Sequence, residues 1–114
     1  MSGRNYQNGL AAEDIATRHY TALGATLLAS RWRSAAGEID LIFRHGETVL
    51  FVEVKARRSH DAAAAALAPK QAARLLAAAE IYLATQCPAN QNARFDLALV
   101  NRTGALEILQ NCFQ

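Results

Sequence analysis

Between Thr48 and Ala56 the chain reads TVLFVEVKA, and this run restricts the possible folds more than any other. Leu50, Val52 and Val54 load one face of a strand, while Val49 and Phe51 make the other face apolar as well. A strand apolar on both sides belongs inside a sheet with covering layers above and below. Glu53 is set into one of the covered faces, and Lys55 shares that face because side chains along a strand alternate with period two. An unpaired carboxylate there is costly, so Glu53 requires a cation, a shared proton or a water-filled cleft.

The preceding segment supplies a second acid. Residues 39–43 read as a strand that joins Thr48–Ala56 through a tight turn around His45-Gly46, where glycine provides the positive φ. A turn centred there makes Arg44 face Glu47 and Asp40 face Phe51, so that Glu53 is the diagonal neighbour of Asp40. Diagonal neighbours on one face lie roughly 7–8 Å apart, a gap that two carboxylates can close around one ion. With Lys55 alongside, two carboxylates and one ammonium leave a negative charge over. Mg2+ or Mn2+ would balance it, because hard cations take carboxylate and water oxygens and often a substrate phosphate. Asp40 and Glu53, joined by Glu13 from the border of the first helix's apolar arc, are the candidate metal ligands. Lys55 is placed to orient a water or to stabilise developing charge, and the chemistry indicated is phosphodiester hydrolysis. The plainer alternative is a solvated hairpin carrying a surface Glu–Lys pair.

Around this hairpin, residues 9–23 have helical periodicity, with Ala12, Ile15, Ala16, His19, Tyr20 and Leu23 on one arc and Gly24 as the stop. Thr26–Arg33 reads as the first strand and residues 34–37 as its turn. Residues 61–68, DAAAAALA, fit either a frayed helix or a loop. Pro69 opens a helix running to about Thr85, and residues 93–100 and 105–109 are the last strands. The fold class expected is α/β in the order αβββαββ. An antiparallel three-strand meander is extended into a mixed sheet by a right-handed crossover to a parallel strand.

The 114 residues suffice for one domain, 1–114, with a real core. A hydrophobic share of 52% argues against disorder, and a net charge of +2 suits an anionic partner without requiring one. Cys87 and Cys112 have neither CxxC spacing nor nearby histidines, so two buried thiols are expected rather than a zinc site or a disulfide framework. No apolar run approaches the ~20 residues of a membrane span, and the opening MSGRNYQN lacks a signal-peptide core, so a cytoplasmic protein is expected, with no membrane association.

Asp40 followed by Glu53-Val54-Lys55 on the next strand resembles the signature of the PD-(D/E)XK nuclease superfamily, the restriction-endonuclease-like fold. In detail the chain is similar to UPF0102, the YraN-like proteins, regarded as distant relatives of archaeal Holliday junction resolvases. The likeness is carried by Gly9-x-x-Ala12-Glu13-x-x-Ala16, Gly37-Glu38-Ile39-Asp40-Leu41-Ile42, Val52-Glu53-Val54-Lys55-x-Arg57, Pro69-Lys70-Gln71 and Arg94-Phe95-Asp96. It implies a restriction-endonuclease-like core, metal ligation by Asp40 and Glu53, a catalytic Lys55 and an assisting Glu13. Gln71 matches a polar position that in such nucleases can face the site; an exposed helix start is the other reading. Three features depart from the pattern: Ile39 stands where the superfamily name has proline, Arg31 where asparagine is expected, and the alanine-rich residues 61–68 look shortened.

Glu38 falls opposite Glu53 in the expected register and is read as ending its strand rather than as a further ligand. His19, His45 and His60 show no metal spacing, and Asp96 is expected to bond Arg94 or nearby backbone. Arg33, Arg57, Arg58, Lys70, Gln71 and Arg74 are candidate nucleic-acid contacts if they gather on one rim, as are Arg31 and Arg44. Trp32 reads as a partly buried core residue, with stacking on an unpaired base as the alternative.

These features together point to a metal-dependent endonuclease whose partner is DNA, branched or otherwise structured DNA being what the resemblance to resolvases implies. A two-fold substrate of that kind favours a homodimer by symmetry. The rival reading is a noncatalytic module that kept a nuclease-like cleft to bind nucleic acid or another protein. Retention of Asp40, Glu53 and Lys55 together favours the enzyme, since binding to a polyanion improves when carboxylates are lost.

Overall fold

The computed structural model describes residues 3–111. Its elements run α1 (Gly3–Ala22), β1 (Thr26–Arg33), β2 (Glu38–His45), β3 (Thr48–Ala56), α2 (His60–Ala65), α3 (Pro69–Gln86), β4 (Asn92–Val100) and β5 (Leu106–Gln110). Among the described residues one five-stranded sheet forms in the order β1-β2-β3-β4-β5, antiparallel except where β4 lies parallel to β3. The mixed sheet and its meander are those expected; the order αβββαββ is corrected by the extra helix α2. Within the alanine run that left helix and loop open, Ser59 Oγ accepts the Ala62 N–H and so supplies the cap that starts α2.

β3 is the two-faced strand at the centre. Leu50 and Val52 pack with Leu41, Phe43 and Ala98 against Ala16 and Tyr20 of α1. On the other face Val49 and Phe51 pack with Ile39 and Ile42 against Leu75, Ala78, Ala79 and Tyr82 of α3. Alanines at both helix contacts let the backbones approach the sheet closely, and aromatic rings fill the remaining space. Tyr20 stacks on Phe43 at 4.8 Å between centroids, and Trp32 meets Tyr82 edge-on at 5.2 Å. Trp32 is thus the partly buried core residue expected. His19 and Leu23, assigned to the apolar arc of α1, are exposed. The helix starts earlier than its periodicity indicated and ends as expected. At its end Ala25 N–H bonds to Tyr20 O and Gly24, at φ 95, bonds to Thr21 O.

The hairpin register differs from the expected one by two residues. His45 pairs with Thr48 and Ile42 with Phe51, so the two-residue turn is Gly46-Glu47 rather than His45-Gly46. Gly46, at φ 62, takes the first central position, where a mirror-image turn accepts glycine most readily. Extending the ladder brings Asp40 level with Glu53 instead of diagonal to it, and Glu38 no longer meets Glu53. Because a shift of two residues preserves facing, the carboxylates stay on one side.

Of the cysteines, Cys87 is partly buried and free, and the expectation for Cys112 lies outside the described residues. Among the described residues no helix is long and apolar enough to cross a membrane.

Candidate active site

The site forms where β2 leaves β3. The last ladder pair on that side is Leu41 with Val52, and beyond it Asp40 Oδ2 accepts the Val54 backbone N–H at 2.8 Å. The carboxylate thus takes the place of the strand carbonyl that a continued ladder would have supplied. On the outer side of β2 the pairing with β1 passes from Ser30–Leu41 to Trp32–Ile39 across Arg31, which adopts φ 51. Ile39 and Ile42 both pack toward α3 although strict alternation would separate them, so the alternation of β2 breaks between them, and Asp40 lies in that interval.

Glu53 is 7% exposed, and its two oxygens differ. Oε2 accepts the Gln71 side-chain amide at 2.7 Å and lies 3.7 Å from Lys55 Nζ. Oε1 is buried with no hydrogen-bond partner. Burial, followed by the neighbouring carboxyl of Asp40, pushes the Glu53 pKa up to about 9, and Lys55 opposes this only in part. A carboxylate pair that holds a proton at neutral pH is one that a cation can occupy in its stead. The orphaned oxygen, the adjoining acid and the all-oxygen donor set fit Mg2+ or Mn2+.

Glu13 is brought near but engaged elsewhere. Its carboxylate is gripped by Arg31, with Nε to Oε1 and a terminal nitrogen to Oε2 both at 3.3 Å. Burial raises its pKa, the Arg31 hydrogen bond lowers it, and the charges of Asp40 and Glu38 raise it further. Among the described residues no three His, Cys, Asp or Glu side chains gather closely enough to hold a metal ion. The structure therefore unites Asp40, Glu53, Lys55 and Gln71, and turns Glu13 toward Arg31.

The basic residues divide between the layers. Arg33 is paired with Glu38 at 3.0 Å, Arg44 is exposed near the hairpin turn at the other end of β2, and Lys70 and Arg74 are exposed on the first turns of α3. Arg57 and Arg58 leave the end of β3 into a groove against α1. His60 bonds Ala105 O and contacts Glu107, a structural role. Asp96, 1% exposed, accepts from Arg94 through both oxygens and from the Tyr20 hydroxyl at 2.7 Å, as its expected structural role requires. Two partnerships escaped the sequence reading, Arg31 with Glu13 and Tyr20 with Asp96. The signal for the first was an arginine where the family pattern expects asparagine, a residue that tolerates positive φ.

Fold and site define an α/β protein built on one mixed sheet, with a buried Glu53, a partly buried Asp40 and a lysine at the point where two strands part. The model of Uncharacterised protein family UPF0102 matches residues 12–100, and the chain belongs to that family. It is similar to a UPF0102 protein of Cereibacter sphaeroides, 45% identical over 99% of this chain and 98% of the relative. A UPF0102 protein of Ruegeria sp. is 48% identical over 92% and 86%. One from Azorhizobium caulinodans is 42% identical over 96% and 84%.

Proposed function

We propose that this chain is a metal-dependent endonuclease with a restriction-endonuclease-like core, hydrolysing phosphodiester bonds of DNA, branched or structured DNA being the substrate class. The observation that carries this reading is the buried, partnerless Glu53 Oε1 beside Asp40, on the face that also carries Lys55. No structural purpose explains that arrangement, since an apolar pair would be more stable there.

Asp40 and Glu53 would hold Mg2+ or Mn2+, which when bound polarises a phosphoryl oxygen and acidifies a water. The Asp40 carboxylate is oriented by the Val54 N–H and that of Glu53 by the Gln71 amide, so neither has to reorganise as the ion enters. Lys55, with its side chain 13% exposed, presents a largely desolvated positive charge to the oxygens on which negative charge develops. Glu13 joins the ligands only by leaving Arg31; otherwise water and a phosphate oxygen complete the set.

The test is incubation of the parent, Asp40→Ala and Lys55→Ala proteins with duplex, single-stranded and four-way DNA in Mg2+ and in Mn2+. Cleavage by the parent, reduced at least about 100-fold in both variants, is expected. Equal products from all three would expose a contaminant and remove the catalytic reading. Metal-dependent melting of the parent but not of Asp40→Ala, without cleavage, would favour the binding module instead.

A further inference from the structure

Apart from the carboxylate site, one concave feature concentrates charge of a single sign. A groove of roughly 530 Å³ runs between α1 and the ends of β3 and β4, with Ala12, Ile15 and Val100 in its wall and Arg57, Arg58 and Arg102 around it. All three arginines are exposed, and among the described residues no carboxylate forms an ion pair with any of them. Clustering like charges without counterions is unfavourable in isolation and becomes favourable when an anion joins them.

The backbone beneath these arginines is held firmly. After the parallel strands end, Arg57 N–H bonds to Val100 O and Arg102 N–H to Arg58 O, so the two arginine-bearing segments are tied side by side. The turn that carries Arg102 is closed by Asn101 Oδ1, which accepts from the Thr103 and Ala105 N–H groups and from the Thr103 hydroxyl. At Gly104 the same turn lies in ordinary van der Waals reach of α1, since an added Cβ would stand 3.7 Å from Ile15 Cδ1. The three arginines thus stand on a pre-ordered frame beside an apolar wall, with Arg57 Nη1 donating to Ala56 O at 2.7 Å. That combination suits a phosphate with a sugar beside it.

We infer that this groove binds the phosphodiester backbone of a nucleic-acid strand, with Arg57, Arg58 and Arg102 as its cations. The inference rests on the nuclease reading for its choice of a strand over a free phosphate ester. Ala56 of the groove follows Lys55 at the end of β3, so the groove lies at the same end of the central strand as the carboxylate site, on the α1 side of the sheet while Glu53 faces α3. Arg102 is the residue that nothing in the hairpin motif announces.

The experiment uses Asp40→Ala protein, which lacks both cleavage and one repelling carboxylate, and adds Arg102→Ala or Arg102→Lys. Binding of a labelled single strand and a labelled duplex is followed by fluorescence anisotropy across a salt series. Arg102→Ala should weaken binding roughly three- to tenfold at low salt for every sequence and lower the salt slope by about 1, while Arg102→Lys retains most of the affinity. Unchanged affinity and slope in Arg102→Ala would overturn the inference, as would equal loss in the lysine variant. Displacement of the strand by a nucleoside monophosphate at comparable concentration would reassign the groove to a small phosphate ester. Absence of cleavage by the parent, with these binding effects intact, would remove the nuclease reading and leave the groove standing.

Discussion

Gln71, from the first turn of α3, donates its side-chain amide to Glu53 Oε2 at 2.7 Å, joining the helix to the carboxylate on the central strand. The bond satisfies one oxygen of a buried acid and leaves the other available, which is the arrangement a metal ligand needs. Replacing Gln71 by alanine should weaken Mg2+ binding about 10- to 100-fold with little change in fold. A thermal-melting titration with Mg2+ checks this. An unaltered midpoint would reduce Gln71 to a helix-start residue.

The raised pKa of Glu53 makes stability depend on pH in a definite direction. Its contribution is fully present below its ordinary value of 4.5 and is lost as pH climbs toward about 9, because over that range the unfolded chain carries an ionised Glu53 that must take up a proton on folding. In metal-free buffer the parent should therefore lose stability over that range, and Glu53→Gln should melt increasingly higher than the parent as pH rises. Near pH 8 the gain should be about 1–3 kcal/mol. Scans at several pH values in a chelator test this, and equal melting at pH 8 would contradict it. Adding Mg2+ should flatten the parent's profile.

Arg31 combines a left-handed backbone with the grip on Glu13. Arg31→Gly relieves about 1 kcal/mol of backbone strain and removes the ion pair, so the net change in stability should be small. If Glu13 belongs to the ligand set, its release tightens Mg2+ binding, and the effect disappears in Arg31→Gly combined with Glu13→Ala. Equal Mg2+ affinity in the parent and Arg31→Gly would strike Glu13 from that set.

Asp96 is the structural counterpart of the carboxylate site. Arg94 bonds both of its oxygens and the Tyr20 hydroxyl bonds one, so removing it takes the carboxylate away from a partly buried cation and breaks a buried hydroxyl bond. Asp96→Ala should cost about 3–5 kcal/mol in urea unfolding, and Tyr20→Phe about 1. Metal binding by the folded fraction should remain as in the parent, since Asp96 shares no hydrogen bond with Asp40 or Glu53.

Much of the fold is legible from short stretches. The alternation in Thr48–Ala56 identified a strand covered on both faces, and the structure buries both. Period two put Asp40, Glu53 and Lys55 on one side even though the turn was centred one residue too early, because an error of two in register leaves facing unchanged. α2 stayed ambiguous because alanine declares no face; its start depends on the Ser59 cap, and Ala63 is buried in a cluster with Leu97 and Leu99 of the distant strand β4. The left-handed backbone at Arg31 was illegible for a related reason. A positive φ at an arginine is sustained by surroundings rather than by the residue itself.

What the chain determined alone is whatever follows from neighbours along it: the strand with two apolar faces, the stop of α1 at Gly24, and the acids and lysine spaced to share a side. The tertiary structure decided which distant groups meet them. It assigned Gln71 to Glu53, Arg31 to Glu13 and Tyr20 to Asp96, and it drew Arg102 beside Arg57 and Arg58. These partnerships depend on how the helices and the β4–β5 turn pack on the sheet. Local periodicity shows which face a residue occupies, whereas only packing sets what stands opposite that face.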